Sequence, residues 1–341
     1  MLPADASPAA PSRRFRVVVL DDYAHSALSL ADWGRIGDDL DLVVVSEHVG
    51  DEEAVHELLR GADAVVAMRE RTPLPRRLLT RLPRLRLIVT TGARNASIDP
   101  PPGVVFCGTR SLTSPTVELT WALILAARRH LLSEVERLRG GGWQATLGEG
   151  LEGASIGIVG LGSIGRRVGR VASAFGMRTL AWSANLTPEA AAEEGAEYAP
   201  LDELCARAEI VSVHTRLSDR TRRLIGVSQI EAIGPSGLLV NTSRAEIVDQ
   251  QAMIDALHAG RLGGVALDVF EAEPLAEGDA LRDAPRTLLS PHLGYVVRAN
   301  FELFYTDAVE AIVAYRAGAP IRTIESQDDG VTPSAHERGT A

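Results

Sequence analysis

Ser155-Ile156-Gly157-Ile158-Val159-Gly160-Leu161-Gly162-Ser163-Ile164-Gly165 is the stretch that decides how this chain is read. Ser155–Val159 reads as a buried strand, and Ser163–Phe175 reads as a helix. Three glycines sit where the strand must turn into the helix. The first, Gly160, permits a tight turn; the second, Gly162, lets backbone approach a pyrophosphate; the third, Gly165, lets helix and strand pack closely. The helix start at Ser163 and Ile164 presents free N–H groups and a partial positive charge to phosphates. A glycine-rich structural turn has the same spacing. The strand before and the helix after assign it to a dinucleotide.

The following strand, Arg178–Trp182, should end in an acidic residue that holds the adenosine ribose of NAD. Ser183 stands in that place, 18 residues beyond Gly165. A carboxylate that would repel a 2′-phosphate is missing, and no arginine follows at once to grip one. Ser183 or Asn185 is placed to bond either ribose hydroxyls or a phosphate, so the expectation is NAD or NADP, with NAD favoured.

Working outward, apolar strands alternate with helical segments on both sides of this motif. Before it come Phe15–Leu20, Leu42–Ser46, Ala64–Ala67, Leu87–Thr90 and Val104–Cys107, then a long apolar helix over Ser114–Leu131 and a glycine-rich loop over Arg139–Glu152. After it come strands at Ile210–Val213, Gly237–Asn241, Gly264–Leu267 and Thr287–Ser290, and a helix at about Asn300–Arg316. This alternation predicts an α/β protein with two Rossmann- or flavodoxin-like parallel sheets. The expected substrate domain is discontinuous, 15–110 with 298–323. The expected dinucleotide-binding domain is 111–297, with the active site in the cleft between the two. Residues 1–14 and 325–341 read as loose tails.

Composition narrows the function. At 341 residues there is room for two domains. A net charge of -10 argues against a nucleic-acid partner. All 35 basic residues are arginine, which excludes a lysine Schiff base. Cys107 and Cys205 are far apart, without metal-ligand spacing, and read as reduced core thiols; no metal site is assigned. No apolar run spans a membrane, and the N-terminus lacks the apolar core of a signal peptide, so the expected location is the cytoplasm.

Three later segments carry polar residues at strand ends, where parallel sheets put their ligands. They are Asn241-Thr242-Ser243-Arg244-Ala245, Asp268-Val269-Phe270-Glu271-Ala272-Glu273-Pro274 and Ser290-Pro291-His292-Leu293-Gly294. With the glycine motif, they resemble the D-isomer-specific 2-hydroxyacid dehydrogenases, the phosphoglycerate, glyoxylate and hydroxypyruvate reductase-like enzymes. The likeness runs over about residues 15–323. It implies hydride transfer between a nicotinamide cofactor and a small 2-hydroxy or 2-keto acid. Arg244 is then expected to bind the anionic carboxylate with its forked donors. His292 is expected to act as general acid or base, and Glu273 to pair with it and favour the proton-donating form. Asp268 matches a residue at the nicotinamide end of the cofactor. Thr242 and His214 lie at strand ends lining the cofactor, and for His214 a purely structural role is equally open. The family is usually homodimeric, and the helix Ser114–Leu131 with the loop after it is the expected contact.

Departures from the usual pattern surround the substrate. The loop Thr91-Gly92-Ala93-Arg94-Asn95 carries Arg94 where a glycine is common, and the family's loop binds the substrate carboxylate through its N–H groups. Arg94 either narrows the pocket or grips a second anionic group, or it points to solvent. Met68-Arg69-Glu70-Arg71 puts Arg69 and Arg71 at another strand end, as substrate contacts or as a salt-bridged loop. Tyr295 follows Gly294 where a second glycine is common, and is expected to line the pocket. Two rivals stay open at this point. One is a cofactor-sensing binding protein of the corepressor type, which uses the same fold. The other is a biosynthetic dehydrogenase for a phosphorylated or phosphonate acid.

Overall fold

Strand and helix alternate through most of the described chain, and every strand pairing in both sheets is parallel. The computed structural model describes residues 13–325. Most of the two expected tails therefore lies outside the described residues. The chain divides into two compact units, one running to Ser111 and resuming at Arg298, the other Leu112–Val297.

The first unit holds β1 (Phe15–Val19), β2 (Leu40–Val44), β3 (Ala64–Ala67), β4 (Leu87–Thr90) and β5 (Val105–Cys107), in the order β2-β1-β3-β4-β5. This is the flavodoxin-like order. Val18, Leu20, Val65, Ala67, Ile88 and Phe106 share one core with Val55 and Leu59 of the helix Glu52–Leu59. Asp51 caps that helix, its side chain accepting from the Ala54 N–H. The helix Arg298–Arg316 belongs to this unit and buries Phe301, Phe304, Tyr305 and Asp307.

The second unit holds β6 (Ser155–Val159), β7 (Arg178–Trp182), β8 (Glu197–Tyr198), β9 (Ile210–Val213), β10 (Leu238–Asn241), β11 (Gly264–Leu267) and β12 (Thr287–Leu289). Their order is β12-β11-β10-β9-β6-β7-β8, the Rossmann order with one more strand at the edge. Successive residues along each strand feed opposite cores. Val211, Val213, Leu239, Val265 and Leu267 enter one, while Ile210, Leu238, Val240 and Ala266 enter the other. Burial on both faces explains why these strands read as continuous apolar runs.

Two elements differ from the sequence expectation. The long helix stops at Arg128, because His130 takes a left-handed backbone (φ 50) and a separate helix, Leu131–Arg139, starts beyond it. Strand β8 is two residues long and half polar, so it gives no apolar run to detect.

Candidate active site

The end of β10 presents Arg244. Asn241 shapes the turn that carries it. Its Oδ1 accepts from the Ser243 N–H (3.0 Å), and its Nδ2 donates to the Arg244 carbonyl (2.9 Å). Ser243 donates to the Thr215 carbonyl at 2.5 Å, tying this turn to the end of β9. Arg244 is half-buried, with Nη1 donating to the Ser243 carbonyl at 2.8 Å.

The ends of β11 and β12 meet through Asp268, which is fully buried. Its Oδ1 accepts from Ser290 Oγ (2.6 Å) and the Leu293 N–H (2.7 Å), and its Oδ2 from the Gly294 N–H (2.8 Å). Burial pushes this carboxyl up, against the opposing pull of Ser290, Leu293, His292 and Gly294. Three bonds from Asp268 thus hold the loop that carries His292, whose own backbone is left-handed (φ 52). The His292 N–H donates to the Ser290 carbonyl at 2.9 Å, and its ring meets the Tyr295 ring edge-on at 5.5 Å.

His292 Nδ1 lies 2.6 Å from Glu273 Oε2. The other oxygen of Glu273 accepts from the Phe270 N–H at 3.0 Å, so the carboxylate cannot swing away without giving up a backbone bond. Burial works to raise the Glu273 carboxyl. The hydrogen bond and charge of His292, the Phe270 N–H and the charge of Arg244 outweigh it, and the group sits below the usual glutamate range. The charge of Arg244 adds to the lowering of the Glu273 carboxyl, behind the bond and charge of His292 and the Phe270 N–H. The His292–Glu273 contact fixes which ring nitrogen faces the carboxylate and leaves Nε2 clear of it.

The glycine turn has the shape that the spacing demands. Gly160 has φ 106, and a Cβ there would stand 2.5 Å from the Thr215 nitrogen. The turn therefore packs on the end of β9, where the strand order reverses. A Cβ on Gly165 would stand 2.2 Å from the Gly160 carbonyl oxygen. Gly162 is different: a Cβ there meets nothing within 4 Å, and Gly162 and Ser163 are exposed. Open space lies in front of the start of the helix Ser163–Ala174, and Ile164 follows half-buried on its first turn. Ser183 Oγ accepts from the Leu161 N–H at 2.7 Å, keeping its own proton to give away. Room, N–H groups and a hydroxyl donor fit a dinucleotide. His214 Nε2 bonds Ser212 Oγ at 2.8 Å, and burial lowers its pKa to about 4, so it is neutral here. Thr242 is buried, with its hydroxyl 2.9 Å from that of Thr120.

The four remaining site candidates belong to the first unit. Arg69 has a left-handed backbone (φ 53), and its guanidinium lies over Gly92, where a Cβ would stand 2.2 Å from Nη1. Gly92 itself has φ 98, so no side chain suits it on either count. Ala93 and Arg94 are exposed. Arg71 turns back instead, donating to the Asp21 carbonyl (2.8 Å) and lying 4.2 Å from the Tyr23 ring centre.

Known proteins resemble this chain in sequence and in fold. A model of the D-isomer specific 2-hydroxyacid dehydrogenase NAD-binding domain matches residues 121–294. A glyoxylate reductase of Aeropyrum pernix is 37% identical over 260 residues, 71% of this chain and 76% of that one. The chain belongs to the D-isomer specific 2-hydroxyacid dehydrogenase family. The dehydrogenase is also 31% identical to a D-3-phosphoglycerate dehydrogenase of Methanocaldococcus jannaschii, over 74% of this chain and 51% of that one. A crystal structure of a phosphoglycerate oxidoreductase from Vibrio cholerae superposes with a TM-score of 0.84 at 36% identity, covering 90% of this chain and 100% of that one. As a member of the family, the dehydrogenase is an oxidoreductase that transfers hydride between a nicotinamide cofactor and a 2-hydroxy or 2-keto acid. Membership favours the enzyme over a cofactor-sensing corepressor. Among the described residues of the dehydrogenase, no helix is long and apolar enough to cross a membrane.

Sequence reasoning about the dehydrogenase passed over Thr116, Thr120 and Ser290. All three hold the site loops from behind. The available signal was the spacing of Thr116 and Thr120, four apart in an otherwise apolar helix.

Proposed function

We propose that this protein reduces a small 2-keto acid to the D-2-hydroxy acid, with Arg244, Glu273 and His292 as the reacting set. The observation that carries the reading is the 2.6 Å contact of His292 Nδ1 with Glu273 Oε2. With Nδ1–H facing the carboxylate, protonated His292 offers its Nε2 proton to the keto oxygen as that oxygen gains negative charge. Glu273 balances the imidazolium before transfer. Arg244 holds the substrate carboxylate and polarises the carbonyl. The bound nicotinamide supplies the hydride to the second carbon. In the oxidation direction His292 takes the proton instead. Oδ2 of Asp268 takes a single loop bond and so keeps a lone pair, which suits the nicotinamide amide. Thr242 and His214 line the same strand ends.

In this reading residues 15–110 with 298–323 bind substrate and 111–297 bind the cofactor. Gly160, Gly162, Ser163, Ile164 and Gly165 receive the pyrophosphate, and Ser183 the adenosine ribose. We take NAD as the coenzyme. The guanidinium beside the glycine loop, Arg166, is engaged with the Leu161 carbonyl (3.2 Å) and with Glu194 (3.3 Å) rather than poised for a 2′-phosphate. The family resemblance gives substrate-binding roles to Gly92 and Ala93 in the first unit and to Tyr295 in the second. The test is oxidation of NADH and NADPH with a panel of 2-keto acids that includes glyoxylate and phosphorylated keto acids. NADH oxidation with at least one acid is expected. Tight coenzyme binding without turnover of any keto acid overturns the reading. A phosphorylated or phosphonate acid is the second reading, favoured by the guanidinium of Arg69 over the Gly92 loop and by exposed Arg94. Arg69→Ala then raises KM for phosphorylated acids and spares glyoxylate.

The same reading makes the protein a cytoplasmic homodimer. Burial pushes the free thiols of Cys107 and Cys205 up to about 11 and 12, which keeps both unreactive. The helix Leu131–Arg139 buries none of its residues, and leaves Leu131, Leu132 and Leu138 exposed beside Trp143 and Leu147 on the following loop. A second copy covers such an apolar patch. Sedimentation should give twice the chain mass, and Leu138→Glu with Trp143→Arg should halve it.

A further inference from the structure

Both reacting loops of the second unit are tied to a single helix, Ser114–Arg128. Thr116 Oγ1 donates to the Gly294 carbonyl at 2.8 Å, two residues beyond His292. Thr120 Oγ1 lies 2.9 Å from Thr242 Oγ1, two residues before Arg244. Thr120 also donates to the Thr116 carbonyl at 2.7 Å. A hydroxyl has one proton, so Thr242 is the donor in the Thr120–Thr242 bond. Thr120 is fully buried and accepts that bond in the interior.

The two threonines are four residues apart, so they stand on one helix face, one turn above the other. Gly294 is gripped at both ends of its backbone: its N–H goes to Asp268 and its carbonyl to Thr116. A Cβ at Gly294 would stand 3.1 Å from Asp268 Oδ2 and 3.6 Å from Thr116 Oγ1, so the fit is close on both sides.

We infer that Thr116 and Thr120 are positioning residues that set the spacing between the proton donor and the carboxylate clamp. The inference rests on the roles proposed above for His292 and Arg244. The helix is the rigid spacer: Thr116 fixes the height of the His292 loop, and Thr120 fixes the turn that ends in Arg244. A shift of about an ångström in a reacting group costs up to about 100-fold in rate, so two hydroxyls on one helix are enough to matter.

The test uses Thr116→Val, Thr120→Val and Thr116→Ser in the full chain. Valine keeps the shape and removes the hydroxyl; serine restores it. Thr116→Val is expected to lower kcat for keto-acid reduction about tenfold or more with little change in substrate KM, and Thr116→Ser to recover most of it. Thr120→Val is expected to raise substrate KM more than it lowers kcat, because it loosens the clamp. Amide hydrogen exchange gives a second readout that needs no turnover. Exchange in residues 292–296 should quicken in Thr116→Val, and exchange in residues 242–247 in Thr120→Val, each without the other. Parental kinetics and parental exchange in both valine variants overturn the inference, as does equal damage in Thr116→Val and Thr116→Ser. A parental enzyme that turns over no keto acid, combined with the segment-specific exchange, refutes the functional reading and leaves the spacing device standing.

Discussion

Glu273 places one oxygen on His292 and one on the Phe270 N–H, the arrangement that the proposed role uses. Glu273→Gln keeps the shape and the backbone bond but removes the charge that balances an imidazolium. The expected result is a fall of about 100-fold in kcat for keto-acid reduction, with coenzyme binding unchanged. Parental kcat across neutral pH in that variant would rule out the paired role. Arg244, Glu273 and His292 stand out in the sequence because each sits in a short motif at a strand end, and the fold puts His292 against Glu273. Asp268 was legible as a position but not in its main engagement. That its oxygens take three bonds from the His292 loop depends on β11 and β12 lying side by side, which no local pattern states.

Gly165 works at the level of elements, where the helix Ser163–Ala174 leans on the turn after β6. An added methyl would stand 2.2 Å from the Gly160 carbonyl oxygen and 3.0 Å from Ile158 Cγ2. Backbone, not a flexible side chain, is in the way. Gly165→Ala should therefore cost about 2 kcal/mol of stability and weaken coenzyme binding. Parental coenzyme affinity, measured by titration of intrinsic fluorescence, would show that this packing does not shape the site. The apolar runs of β6, β9, β10 and β11 were easy to read because both faces of the sheet are covered. The helix Leu131–Arg139 was not, because its start depends on the left-handed backbone of His130, a residue type with no strong local rule.

His214 links the site to the stability of the whole molecule. Its folded pKa is lowered by burial to about 4, against about 6.5 in an unfolded chain. Below pH 6.5 the unfolded chain takes up a proton that the native one refuses, so acid drives unfolding; the loss grows until about pH 4 and then stops. By pH 4.5 it should amount to roughly 2 kcal/mol. His214→Gln should become more stable relative to the parent by that amount between pH 7.5 and 4.5, as read by urea unfolding. Equal pH dependence in the two proteins would count against a neutral, buried His214.

By itself the sequence determined the alternation of strand and helix, the glycine turn and the three strand-end motifs that hold Arg244, Glu273 and His292. Each of these is written in residues close together, as a period, a turn or a motif. The tertiary structure decided what those residues rest on: Asp268 under the His292 loop, Thr116 and Thr120 behind both loops, and Arg69 over Gly92. These partners are 178 residues apart for Thr116 and Gly294, and 122 for Thr120 and Thr242. Contacts of that range arise from the order in which strands join the sheet, and that order is settled by the packing of whole faces.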